Sequence, residues 1–143
     1  MKFLLQALFL GVFLAASPAA QANEKEAETC LRAKVWEGYS SGWGLRTLTR
    51  MSLAADGTKN YLVTLYKGNE YKIITCTDEG ASNLDVALYN MDGEVVLQNT
   101  TSGREPSLSY KPARTESFYV VLHARQVLNP EVKAGVAMAV TYR

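Results

Sequence analysis

From Thr47 onward the chain repeats one device: a short run of alternating apolar and polar residues, then a turn. The runs cover residues 47–53, 61–66, 71–77, 84–90, 94–99, 107–110, 118–124 and 135–142. Between them stand Asp56-Gly57, Lys67-Gly68-Asn69, Asp92-Gly93, Ser102-Gly103 and Asn129-Pro130, the residue types that reverse a chain. Successive side chains of a strand point to opposite faces, so alternation buries one face of each sheet and needs a second layer to cover it. About eight such segments predict an all-β fold, a sandwich or a barrel. In "FYVVLHA" both faces are largely apolar, Phe118, Val120 and Leu122 on one and Tyr119, Val121 and His123 on the other. A strand of that kind belongs in the middle of a sheet. An outer-membrane barrel is excluded, because its strands run about 9–11 residues and most of these are shorter.

Before the strands the pattern is different. "MKFLLQALFLGVFLAASPAAQA" carries a basic start at Lys2, an apolar run over residues 3–16 and small residues ending in Ala20-Gln21-Ala22. That is the order of a secretory signal peptide, and the A-x-A sequence predicts cleavage after Ala22. The apolar run falls short of the roughly 20 residues of a membrane span. Residues 1–22 are therefore expected to be removed, and residues 23–143 to be periplasmic or secreted. No later stretch is long and apolar enough to cross a bilayer.

Residues 23–44 read as a helix followed by a turn rich in Gly and aromatics. Ala27, Cys30, Leu31, Lys34 and Val35 recur at helical spacing. Asn23 is a natural cap, Glu24, Glu26 and Glu28 crowd the first turns where the helix dipole favours them, and Gly38 is the expected stop. Residues 45–143 then form the sandwich domain.

Two cysteines, Cys30 and Cys76, lie in a chain bound for an oxidising compartment. No C-x-x-C spacing points to a redox site, so a structural disulfide is expected, worth roughly 4 kcal/mol for a loop of this size. It would tie the helix to the strands. Loss of Lys2 leaves 14 basic and 14 acidic residues. With no cationic cluster, the long-range attraction of a nucleic-acid binder is missing.

"NLDVALYNMDGEVV" holds a strand, a hairpin turn at Asp92-Gly93 and a returning strand. Together with Gly68 and Tyr71, Leu84-Asp85 and Leu88-Tyr89, Asp92-Gly93, and Tyr119 to Val121, this order resembles the bacterial pre-peptidase C-terminal domain. The resemblance spans roughly residues 60–143. It implies a jelly-roll-like β-sandwich and an accessory or binding role beside a secreted peptidase. Here the module has its own signal peptide and an N-terminal helix, and no peptidase precedes it, so a free-standing module is expected. Some relatives in that family bind calcium through acidic loops. Asp78, Glu79, Asn83, Asp85 and Asp92 supply oxygen ligands of the right hardness, without the dense spacing of an EF-hand loop. The structural alternative for Asp85 is a carboxylate that accepts backbone N–H groups from an adjoining loop and pins a sheet edge.

Catalytic signatures are missing. His123 is the single histidine, placed mid-strand, and the sequence holds no G-x-S-x-G, no H-E-x-x-H and no His/Cys cluster. Trp36, Tyr39 and Trp43 gather near the helix end and are the expected binding face, unless they plug the sandwich where the helix docks. The expectation is a non-enzymatic module recognising a protein or glycan of the bacterial envelope or exterior. Its alternatives are an inhibitor or accessory factor using a protruding loop such as "QNTTSGREP", and a hydrolase with an unrecognised site.

Overall fold

The computed structural model describes residues 22–143. The expected signal peptide, residues 1–22, lies almost wholly outside them. One helix, α1 (Glu24–Ser40), precedes eight strands: β1 (Gly44–Leu53), β2 (Thr58–Leu65), β3 (Tyr71–Thr77), β4 (Ala81–Asn90), β5 (Val95–Asn99), β6 (Leu108–Tyr110), β7 (Glu116–Val127) and β8 (Ala134–Tyr142). They form two four-stranded sheets, ordered β1-β8-β3-β6 and β2-β7-β4-β5, with every pairing antiparallel. That interleaving of an eight-stranded chain between two sheets is a jelly roll. β7 is central, between β2 and β4.

Alternation fills the space between the sheets. Phe118, Val120 and Leu122 of β7 meet Ile73 of β3 and Val136, Met138 and Val140 of β8 in one buried cluster. β8 is buried on both faces, because its other side carries α1. There Ala137 and Ala139 join Cys76 against Ala27, Leu31 and Val35 of the helix. Small residues on the outer face of β8 are what let a helix lie close to the sheet. The Cys30–Cys76 disulfide then clamps α1 to β3.

The cap is as expected: Asn23 accepts the Glu26 N–H on its side-chain oxygen at 2.9 Å. The stop is not. Gly38 lies inside the helix, which continues to Ser40, and Gly42, at φ 84°, takes the left-handed position beyond the end. Trp43 N–H bonds to Gly38 O at 3.0 Å and Gly42 N–H to Tyr39 O at 3.1 Å, the paired bonds of a Schellman ending. Gly38 serves another purpose: a Cβ there would lie 3.4 Å from the Cβ of Trp43.

The β4–β5 hairpin also differs in detail. Only Gly93 has positive φ, at 80°. Asn90 N–H bonds to Glu94 O, which leaves Met91, Asp92 and Gly93 as a three-residue loop with its left-handed residue last. Asp92 needs no special backbone conformation.

Candidate functional site

The Schellman ending turns the chain so that Trp43 folds back under the helix while Trp36 and Tyr39 stay on its outer side. Trp36 is 75% exposed and Tyr39 47%. Their rings meet edge to face at 5.7 Å. Helical spacing of three residues places them side by side. Trp43 is half-buried, with the Arg143 guanidinium 4.5 Å from its ring centre. Arg143 is held in turn by Glu70 at 3.1 Å.

A cleft of about 400 Å³, lined by Trp43 but not by Trp36 or Tyr39, runs between the second half of α1 and the outer side of β3. It lies where α1, running along β8, covers β3 only in part: Ile74 packs against the helix, while Lys72 borders the opening. Lys34, Gly38, Trp43, Lys72, Thr75 and Glu105 line it. Lys34 crosses the cleft, donating to Glu105 at 2.9 Å and to Thr75 O at 3.0 Å. Glu105 also sits against the disulfide, its carboxylate 3.3 Å from Cys30 Sγ. An oxidised sulfur has no proton to donate, so this is contact rather than hydrogen bonding.

Sequence reasoning found the aromatics and missed the rest of the cleft. Glu105 lies 71 residues beyond Lys34, and no local pattern announces that pairing. The loop that carries Glu105 is exposed over residues 100–105 but tied to the domain at its second half. Arg104 donates to Asp78 O at 2.6 Å, Gly103 N–H to the Asn83 side chain at 3.0 Å, and Glu105 turns to Lys34, so this stretch is folded against the domain.

Asp85 is not an edge pin. β4 lies between β7 and β5, and Asp85 points from the outer face of its sheet towards His123, its register partner on β7. His123 Nδ1 stands 3.4 Å from Asp85 and Nε2 2.5 Å from Asp56, with Arg125 3.5 Å from Asp85. One Asp85 oxygen, Oδ1, is buried without a hydrogen bond, with only that Arg125 contact nearby. Both imidazole nitrogens thus face carboxylates rather than a hydroxyl or thiol. Neither Asp56, His123 nor Asp85 lines the cleft beside α1.

The backbone-pinning role belongs to Asp78. Its carboxylate accepts N–H bonds from Asn23 at 2.9 Å, Gly135 at 2.8 Å and Gly80 at 2.9 Å. The expected calcium ligands are not gathered. Asp78 follows β3, and Asn83 is engaged by Gln126 and Gly103. Asp92 lies past the far end of β4, at least about 16 Å of extended strand from Asp85. Glu79 is exposed. Among the described residues the group of His, Cys, Asp and Glu atoms close enough to share a metal is Cys30, Cys76 and Glu105, and its two sulfurs are joined to each other.

No family model matches the chain, and no curated protein does. Solved structures with a similar fold include the periplasmic inhibitor of g-type lysozyme, PliG, of Aeromonas hydrophila, at 13% identity over 70% of this chain and 89% of that one, TM-score 0.49. Another is the pre-peptidase C-terminal domain of a Bacillus anthracis collagenase, at 16% identity over 68% and 90%, TM-score 0.48. A third is a CBM4 structure, at 12% identity over 71% and 75%, TM-score 0.41. None of these likenesses bears on what this chain does.

Proposed function

We propose that the mature chain is a non-catalytic binding module of the exported space, and that it docks a protein partner on the helix end formed by Trp36, Tyr39 and Trp43 with the adjoining cleft. The observation that carries this reading is the exposure of Trp36 and Tyr39 as a touching pair on a helix whose other flank borders a charged groove. Exposed Trp is costly to solubility and contributes nothing to the core. As an anchor it buries a large area with few torsions to freeze. A protein is favoured over a glycan because Arg143 already covers one face of Trp43. Lys34, Lys72, Glu37 and Glu105 around the cleft offer both charge signs, suited to a partner surface of mixed charge. The disulfide supports an oxidising location.

The test is capture from envelope and culture-supernatant fractions on immobilised mature protein, beside a Trp36→Ala/Tyr39→Ala variant. Both side chains are exposed, so the variant should fold normally and lose a discrete partner. Capture that is the same with both proteins sinks the assignment of this face. Retention of purified envelope glycan, sensitive to the substitutions, would move the reading from protein to sugar.

A further inference from the structure

Asp78 is the most completely enclosed carboxylate of the described residues, 5% exposed, and no side-chain cation pairs with it. Arg104 approaches, but donates to the Asp78 main-chain carbonyl at 2.6 Å. The carboxylate's contacts are three main-chain nitrogens: Gly135 at 2.8 Å, Gly80 at 2.9 Å and Asn23 at 2.9 Å. A buried charge is expected to have a counter-charge. The nitrogen of Asn23 is the one that the sequence predicts signal peptidase will expose, since cleavage is expected after Ala22.

We infer that Asp78 is the receiving site for the chain's own processed amino terminus, and that cleavage turns the Asn23 amide into an α-ammonium ion-paired with this carboxylate. Hydrolysis of the Ala22–Asn23 peptide bond consumes one water. The carboxylate goes to Ala22 of the departing peptide, and the amine, protonated near neutral pH, stays on Asn23. The surroundings are built for that terminus. Gly135 has no room for a side chain: a Cβ would fall 2.5 Å from the Asn23 carbonyl carbon and oxygen. The Asp78 N–H bonds to Gly135 O at 2.9 Å, so the β3 end, the β8 start and the chain start close on one another.

A positive charge at a helix N-terminus is unfavourable by itself, because the dipole already presents a positive end there. Asp78, with Glu24 and Glu26 in the first turn, reverses that balance. The Asn23 nitrogen is part-buried in the folded domain. The native state therefore gains this ion pair only once the precursor has been processed. An uncleaved or miscleaved chain would keep a neutral amide against the buried carboxylate.

The first reading is the intact mass of the exported protein, expected to begin at Asn23; a different amino terminus overturns the proposal. The second is equilibrium unfolding of the mature chain beside a chain that retains Ala22, each with Asp78 and with Asp78→Asn. Retaining Ala22 should lower the folding constant about tenfold when Asp78 is present, the difference between a charge-assisted and an amide hydrogen bond. In the Asp78→Asn background the same extension should have little effect. Should that background fail to fold, Nα-acetylation of the mature chain replaces it and is expected to cost the same tenfold. Equal stability of the free, extended and acetylated termini would show that Asp78 serves the backbone alone. Capture of a partner is not an input to either reading, so the outcome is independent of the proposed binding function.

Discussion

The two ends of α1 are built on opposite plans. At the N-terminal end the groups that anchor the helix have partners inside the fold: Asn23 caps Glu26, Asp78 holds three amides, and Cys30 is bonded to Cys76. At the C-terminal end two large aromatics stand in solvent, and the other flank of the helix borders a cleft. Both ends belong to one helix on one sheet, so the contrast cannot come from secondary structure. It comes from what each end faces. The first half lies on the small residues of β8 and sinks in, whereas the second half passes beside the outward side chains of β3 and leaves a groove. Satisfied polar groups and close packing mark the part that holds the fold. Exposed apolar area beside charges marks the part with surface to spare for a partner.

The comparison breaks most readily at the disulfide. Cys30→Ser/Cys76→Ser is expected to cost about 4 kcal/mol, because the bridge closes a loop of sequence separation 46. Urea unfolding under non-reducing conditions would show it. A loss near zero would mean that the helix needs no clamp. Leu31→Ala, at a fully buried position between the helix and β8, should cost about 3 kcal/mol through lost contacts and a cavity. The thermal midpoint measures it. Trp36→Ala should change stability by less than about 0.5 kcal/mol, as exposed substitutions do. The same change should weaken partner binding by about 2 kcal/mol or more, roughly thirtyfold, if Trp36 is an anchor. A stability loss approaching that of Leu31→Ala would erase the distinction between the two ends.

The smallest effect concerns pH. Arg32, through a hydrogen bond, and Arg50, through its charge, hold the Glu28 carboxyl below its ordinary range. A lowered folded-state value means that the contribution is complete above the ordinary glutamate pKa and is lost as pH falls through the lowered one. Glu28→Gln should therefore lower stability slightly at neutral pH, with the difference from the parent vanishing as pH falls through the lowered value, which flattens a weak acid limb of the stability curve. The pair is exposed and salt should diminish the effect further. A pH titration of the unfolding midpoint at two ionic strengths would detect it.

Much of the fold was legible because it is carried by local alternation. Each of the eight alternating runs became a strand, and the doubly apolar "FYVVLHA" became the middle of β7. Gly38 misled as a helix stop, because a glycine near a helix end can serve either chain reversal or close packing. Only the position of Trp43 decides which. Asp85 misled for a related reason. An aspartate inside an apolar run looks buried, but which loop reaches it is set by sheet order, and the amides that needed a carboxylate converge on Asp78 from segments 55 and 57 residues away. The aromatics of the helix end were visible as composition. The cleft beside them was not, since Glu105 and Lys72 arrive from other strands and loops.

The central claim is that the C-terminal end of α1 is the working surface and the rest of the domain is its support. It is tested most directly by a photo-crosslinking amino acid placed at Trp36 in the living cell, with a control at the exposed Lys59 on β2, in the opposite sheet. The account predicts one discrete adduct from position 36 and none from position 59, with the domain folded in both cases. Adducts of equal yield from both positions, or from position 59 alone, would contradict it.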